Sequence, residues 1–221
     1  MIFADRFDAA KQLAQALSDY AERKNVIVLG IPRGGIEIGY FVAKELQAEL
    51  GVIISKKIGF PGNPEAAIGA VSPDGKVYVD QSWIDFQGIT KNYIDTQVKE
   101  LKERIKSHYK EYRLTGKIVL KEKIVIVVDD GIATGQTVKA TADYLRRQKP
   151  KKLVLAVPVS PKDVVDELKK VFDEVICLQT PLIFYAIGQF YGVFEQLTDE
   201  KVVSYLEQAG TIKKITPKKK K

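Results

Sequence analysis

Cysteine and histidine chemistry is almost absent from this chain. Its 221 residues hold one cysteine, Cys177, and one histidine, His108. A single cysteine excludes an internal disulfide and a cysteine-rich metal site. A single histidine leaves no histidine-based zinc cluster and no Ser-His-Asp triad. No uninterrupted apolar run approaches the ~20 residues of a membrane span, and Met-Ile-Phe-Ala-Asp-Arg at the N-terminus lacks a signal-peptide pattern. The expected compartment is therefore the cytoplasm, with no membrane partner. Two nucleotide signatures are missing as well. No Gly-x-x-x-x-Gly-Lys-Ser/Thr occurs, and Gly30-Ile-Pro-Arg-Gly-Gly35 is not Gly-x-Gly-x-x-Gly, which excludes a P-loop and a dinucleotide oxidoreductase.

A hydrophobic content of 45% is that of a globular protein with one substantial core. Net charge is +7, but Lys213, Lys214 and Lys218 to Lys221 supply most of it. The remainder is close to neutral, which argues against a broad nucleic-acid-binding face. Neither internal repeats nor a flexible linker occur. The expectation is one domain over residues 1–210 and a frayed basic tail over 211–221.

The richest stretch is Val125-Ile-Val-Val-Asp-Asp-Gly-Ile-Ala-Thr-Gly-Gln-Thr137. Val125 to Val128 read as a strand buried on both faces, because no polar residue alternates with the apolar ones. Asp129 and Asp130 then stand at the strand end, where open α/β sheets bind ligands. A turn follows through Gly131, Ile132, Ala133, Thr134 and Gly135, and a helix runs from about Thr137 to Arg147. The unpaired N–H groups of such a turn and helix start make a phosphate cradle. Thr134 and Thr137 add hydroxyl donors, and Gly135 lets an anion approach the backbone. Two carboxylates beside a phosphate cradle would repel the anion unless they bind sugar hydroxyls or a metal. A phosphorylated sugar satisfies both halves.

A second strand, turn and helix precedes it. Val26 to Leu29 form the strand, Gly30-Ile-Pro-Arg-Gly-Gly35 the turn, and residues from about Ile36 to Leu50 the helix. Arg33 is a cation among backbone donors, suited to a second anionic group. An N-terminal helix is expected from about Asp8, as N-cap, to Lys24. Val52 to Ser55 read as a strand ending in Lys56-Lys57. An insert of residues 58–122 follows. Gly59-Phe-Pro-Gly-Asn-Pro-Glu65 is too rich in Gly and Pro for helix or strand. Ala67 to Val71 and Lys76 to Val79 pair through Ser72-Pro-Asp-Gly75. A long helix then runs from about Thr90 to Tyr112. Leu153 to Val157 and Glu174 to Cys177 continue the alternation of strand and helix, which implies parallel pairing. Residues 180–197 are aromatic-rich, and either pack as a small cap or offer a face for a heterocycle. A last helix spans Asp199 to Gln208.

The central stretch resembles the signature of type I phosphoribosyltransferases: an apolar strand, two acids, a few loop residues, then Thr-Gly-x-Thr. The resemblance covers about Val26 to Cys177 in order, with Lys56 to Glu65 similar to an uncharacterised branch. It implies a mostly parallel sheet flanked by helices, with a core over 26–178 and the 58–122 insert. A hood over 179–208 with the N-terminal helix completes it. It further implies Mg²⁺-dependent transfer of a 5-phosphoribosyl group from phosphoribosyl pyrophosphate to a nucleobase-like acceptor, in a homo-oligomer such as a dimer. By the same resemblance Asp129 and Asp130 hold the ribose. Gly131, Ile132, Ala133, Thr134, Gly135, Gln136 and Thr137 form the 5′-phosphate loop. Pro32, Arg33, Gly34 and Gly35 face pyrophosphate, together with Lys56 or Lys57. Phe184 is the candidate for stacking on the base. Catalysis is then expected from Arg33, Lys56, Asp129 and Asp130, through alignment and charge stabilisation. Mg²⁺ would arrive on the substrate, with Asp129 or Asp130 as alternatives for a direct ligand. Members that use 6-oxopurines carry an aspartate where Ala133 stands, so hypoxanthine and guanine are expected to be poor acceptors. An insert acid such as Glu65 is another source of that group. The rival reading is a non-catalytic phosphoribosyl-pyrophosphate sensor that binds nucleic acid through the lysine tail.

Overall fold

The computed structural model describes residues 2–79, 81–114 and 118–213; of residues 64, 65, 82 and 83 it describes the backbone alone. Helix α1 spans Arg6–Ala16. It is followed by β1 (Val26–Gly30), α2 (Gly34–Leu46) and the short strand β2 (Glu49–Val52). Next come three hairpin strands, β3 (Lys56–Phe60), β4 (Asn63–Val71) and β5 (Val77–Val79), then α3 (Gln81–Phe86) and α4 (Lys91–Glu111). The chain returns through β6 (Ile124–Val128), α5 (Gln136–Arg147), β7 (Lys152–Val159), α6 (Lys162–Leu168) and β8 (Glu174–Gln179), and ends in α7 (Asp199–Gln208).

Five strands make a parallel sheet in the order β2-β1-β6-β7-β8, and β3, β4 and β5 make a separate antiparallel sheet. The strand order reverses between β1 and β6, so their C-terminal ends open the crevice where such sheets take ligands. Every residue of β1 and β6 is buried, as their unbroken β-branched runs require. Val26, Val28, Ile124, Ile126 and Val128 face a core built with α1, α2 and α7. Ile27, Leu29, Val125 and Val127 face the opposite core, built with α5 and α6. Each such side chain contributes roughly 1.5–3 kcal/mol by leaving water.

Several boundaries differ from expectation, each for a local reason. Helix α1 starts at Arg6, because the Asp5 carboxylate caps the Asp8 N–H at 2.8 Å. Asp8 accepts from the Ala4 N–H instead, and this bond first of all holds its carboxyl below the ordinary range. Helix α2 stops at Leu46, where Gln47 turns left-handed at φ 52, and Glu49–Val52 is released to become the edge strand. Residues 53–55 are not a strand. Lys56-Lys57 opens the antiparallel sheet instead, with Lys56 opposite Val71 and Ile58 wholly buried. The stretch from Gly59 to Glu65 is also strand, apart from Pro61-Gly62, which turns the hairpin. Proline second and glycine third, with Gly62 at φ 80, are the residues a type II turn demands. The C-terminal segment is not frayed throughout. Ile212 is buried, Thr211 Oγ1 donates to the Leu50 carbonyl at 2.8 Å, and the Lys213 carbonyl accepts from Arg113. The other tail lysines, Lys214 and Lys218 to Lys221, lie outside the described residues.

Candidate active site

Two loops meet at the switch point. The first leaves β1 through Ile31, Pro32 and Arg33, with the Pro32–Arg33 peptide cis, and enters α2 at Gly34. The second leaves β6 through Asp129 and Asp130 and enters α5 after Gly135. The loops interlock, and glycine is what allows it. A Cβ on Gly34 would collide with the Asp130 carboxylate, and one on Gly35 would lie 2.7 Å from the Val128 carbonyl oxygen. Gly135 caps α5 at φ 73, a conformation that glycine adopts without strain.

The second loop divides into an anchored half and an open half. Ile132 is buried, and its N–H donates to the Val159 carbonyl at 3.0 Å, so this residue holds the loop down. Ala133 and Thr134 are exposed, and Gln136 and Thr137 are half-buried. Among the described residues, no carbonyl or side chain accepts from the N–H groups of Ala133 to Thr137. Five consecutive positions therefore offer donors at a helix N-terminus, where the peptide dipoles favour negative charge.

The two acids differ. Asp129 stays partly open to solvent, and its Oδ1 accepts from the Asp130 N–H at 2.9 Å. Burial, and next the Asp130 charge, push its carboxyl well above the ordinary range, while a bond from the Gly35 N–H pulls the other way. Asp130 is buried, and its Oδ2 accepts from Arg6 Nε at 2.8 Å. Burial raises its carboxyl too, opposed by Arg6. Tyr191 donates its hydroxyl to the Asp130 carbonyl at 2.5 Å.

Cations gather beside the first loop. Burial, followed by the nearby Arg33 charge, lowers the Lys56 ammonium from its ordinary value, with Asp199 opposing and Arg104 adding. Arg33 lies 3.7 Å from Asp199, whose other carboxylate oxygen accepts from Tyr112 at 2.5 Å. Lys57 is half-buried, and successive strand residues point to opposite sides. Phe184 is half-buried, with its ring tilted on Phe190 at 5.3 Å, in the manner of a packed cap. The Glu65 side chain lies outside the described residues. Among the described residues, His108, Glu111 and Asp199 bring metal-ligating atoms within 4.8 Å of one another. Asp199 in that group is already shared by Tyr112 and Arg33.

Arg6 and Glu37 were not singled out from the sequence; Tyr112 and Asp199 entered only as helix ends, and Tyr191 and Phe194 only as members of the aromatic stretch 180–197. One signal for Arg6 existed. It shares a helical face with Ala9, Ala10 and Leu13, so a cation heads an otherwise apolar stripe.

Fold and loops together define an α/β domain with two glycine-bearing loops that meet at a sheet switch point. The chain belongs to the phosphoribosyl transferase domain family, whose profile matches residues 2–193. That is a family of glycosyl-transferring enzyme domains. A Mycobacterium tuberculosis protein (strain H37Rv), named as a candidate phosphoribosyl transferase, is 41% identical over 209 residues. That alignment takes in 94% of this chain and 47% of the relative, so the chain spans about half the length of the curated relatives it matches. The crystal structure of TT1426 from Thermus thermophilus is similar at 34% identity and a TM-score of 0.78, covering 94% of this chain and 99% of that one. AQ2163 from Aquifex aeolicus shares the fold at 13% identity and a TM-score of 0.50, over 78% of this chain and 71% of that one. Among the described residues, no helix is long and apolar enough to cross a membrane.

Proposed function

We propose that this chain transfers the 5-phosphoribosyl group of phosphoribosyl pyrophosphate to a ring nitrogen of a nucleobase-like acceptor, with release of pyrophosphate. The observation that carries the reading is that, among the described residues, the N–H groups from Ala133 to Thr137 have no partner, in the loop that also carries the acid pair. The phosphate of the sugar takes the donors. Asp129 accepts from ribose hydroxyls, and Arg33 with Lys56 neutralises the departing pyrophosphate. A ribosyl centre that develops positive charge needs no enzyme nucleophile. Alignment and electrostatic stabilisation of the leaving group then supply the rate.

Mg²⁺ fits this donor set. Asp129 is a hard oxygen donor partly open to solvent, and Mg²⁺ prefers a carboxylate or two together with substrate phosphates. When bound, the ion neutralises pyrophosphate charge. The protein's part is to hold Asp129 through the Asp130 and Gly35 N–H groups and to keep Arg33 and Lys56 at the opposite end.

The acceptor is inferred from Ala133. An exposed alanine offers no proton acceptor where a 6-oxopurine would need one. Adenine, a pyrimidine or an unusual heterocycle is the expected acceptor, and hypoxanthine and guanine are expected to be poor. A panel of nucleobases with phosphoribosyl pyrophosphate and Mg²⁺, followed by pyrophosphate release, tests both statements. Release with no base in the panel would contradict the transfer reading, and preference for guanine or hypoxanthine would contradict the role of Ala133.

A further inference from the structure

The acid pair is fastened from beneath by a residue of the N-terminal helix. Arg6 is 7% exposed, although a free arginine side chain prefers water. Its Nε donates to Asp130 Oδ2 at 2.8 Å and one terminal nitrogen donates to the Glu195 carbonyl at 2.8 Å. That nitrogen also lies 3.7 Å from Glu37, and the guanidinium stacks over the Phe194 ring at 4.1 Å. Glu37 in turn accepts from the Tyr205 hydroxyl at 2.8 Å. Groups from α2 and the 194–195 segment thus surround the guanidinium that holds the Asp130 carboxylate, with α7 behind Glu37. The same carboxylate oxygen, Asp130 Oδ2, lies against Gly34, where a Cβ could not fit and would also come within 3.1 Å of Arg6 Nε. Arg6 and the first loop together hold that oxygen.

We propose that Arg6 is a positioning residue: it pins the Asp130 carboxylate beneath Gly34, so that Asp129 is the acid of the pair offered to the sugar. The inference rests on the phosphoribosyl reading above, and it takes off the ribose the Asp130 that the sequence resemblance placed there. A planar fork suits the task. It reaches two acceptors in different directions while its face lies on an aromatic ring, which an ammonium cannot do. The charged and titratable groups around Asp130 are Arg6, Glu37, Asp129 and Tyr191, with Tyr205 on Glu37. Three carboxylates therefore share one cation.

Calorimetric titration with phosphoribosyl pyrophosphate and Mg²⁺ at pH 7, with thermal melts as a folding check, tests the proposal. Arg6→Gln is expected to bind about tenfold more weakly than wild type at pH 7, the scale of one lost charge-assisted contact. Arg6→Lys, which keeps the charge but not the planar fork, is expected to rescue part of the loss and bind with intermediate affinity. Arg6→Gln combined with Asp130→Asn removes both charges and keeps the fold question separate. It should bind within about threefold of wild type, whereas Asp129→Asn should bind at least tenfold more weakly. Wild-type affinity in a folded Arg6→Gln would overturn the proposal. So would a double variant as weak as Asp129→Asn, since Asp130 would then be a sugar ligand itself. If the wild-type protein fails to bind the sugar phosphate at all, the phosphoribosyl reading falls and this inference with it.

Discussion

Asp129 and Asp130 are neighbours in sequence with opposite circumstances, and single substitutions should separate them. Asp130 neutralises a buried arginine, so Asp130→Asn leaves Arg6 without its nearest counter-charge. Breaking a buried pair by removing one partner costs about 3 kcal/mol or more, seen as a lower denaturation midpoint. Among the described residues Asp129 forms no ion pair, and the Arg6 charge reaches it only as a secondary effect. Its carboxyl is raised by burial and by Asp130, so it contributes stability only below the unfolded value near 4 and loses it as pH rises through the folded value. Asp129→Asn should therefore be at least as stable as wild type at pH 7, with the difference shrinking on acidification. A destabilised Asp129→Asn in denaturant titrations at neutral pH would contradict this assignment. At this scale the sequence was informative where chemistry is local. Adjacent acids, Thr-Gly-x-Thr and Pro-Arg-Gly-Gly are contiguous, and the two loops they mark do meet. Arg6, Tyr191 and Asp199 are brought to the site from both ends of the chain, and no local pattern announces a contact across 124 residues.

Among the elements, the parallel strands and their helices were legible because their apolar runs are long and unbroken. The hairpin sheet was legible only in part. Ser72-Pro-Asp-Gly75 announces its turn, but Pro61-Gly62 reads as a loop, since a type II hairpin and a Gly/Pro-rich loop share a composition. The start of α1 depends on which of two aspartates caps it, a choice settled by the Ala4 and Asp8 N–H groups. The C-terminal segment carries its own prediction. Ile212 is 8% exposed and packs in the core beside α7, so Ile212→Ala should lower stability by about 2 kcal/mol in a denaturant titration. An unchanged midpoint would mean that residues after Gly210 contribute nothing.

For the molecule as a whole, the strand order decides where chemistry can happen. Helices cover both faces, and β1 and β6 deliver their loops to one crevice. Ion pairs elsewhere set the acid limb of stability. Arg146 holds the Asp173 carboxyl below its ordinary range, and Lys152 first of all, then the Tyr20 hydroxyl, does the same for Glu174. Depressed carboxylates contribute stability above their unfolded values near 4, and that contribution is lost as pH falls through the lower folded values. Acid unfolding followed below pH 5 should accordingly begin at higher pH in Asp173→Asn, which lacks the charge on Arg146. The same onset as wild type would show that this exposed pair is screened to nothing.

The central claim is that the open half of the loop after β6 and Asp129 together hold a phosphorylated ribose. Isothermal titration of wild type and Asp129→Asn with phosphoribosyl pyrophosphate in Mg²⁺ tests it most directly. The account predicts saturable one-site binding by wild type and a loss of at least tenfold in the folded variant. Equal affinities in the two proteins, or none in wild type, would contradict it.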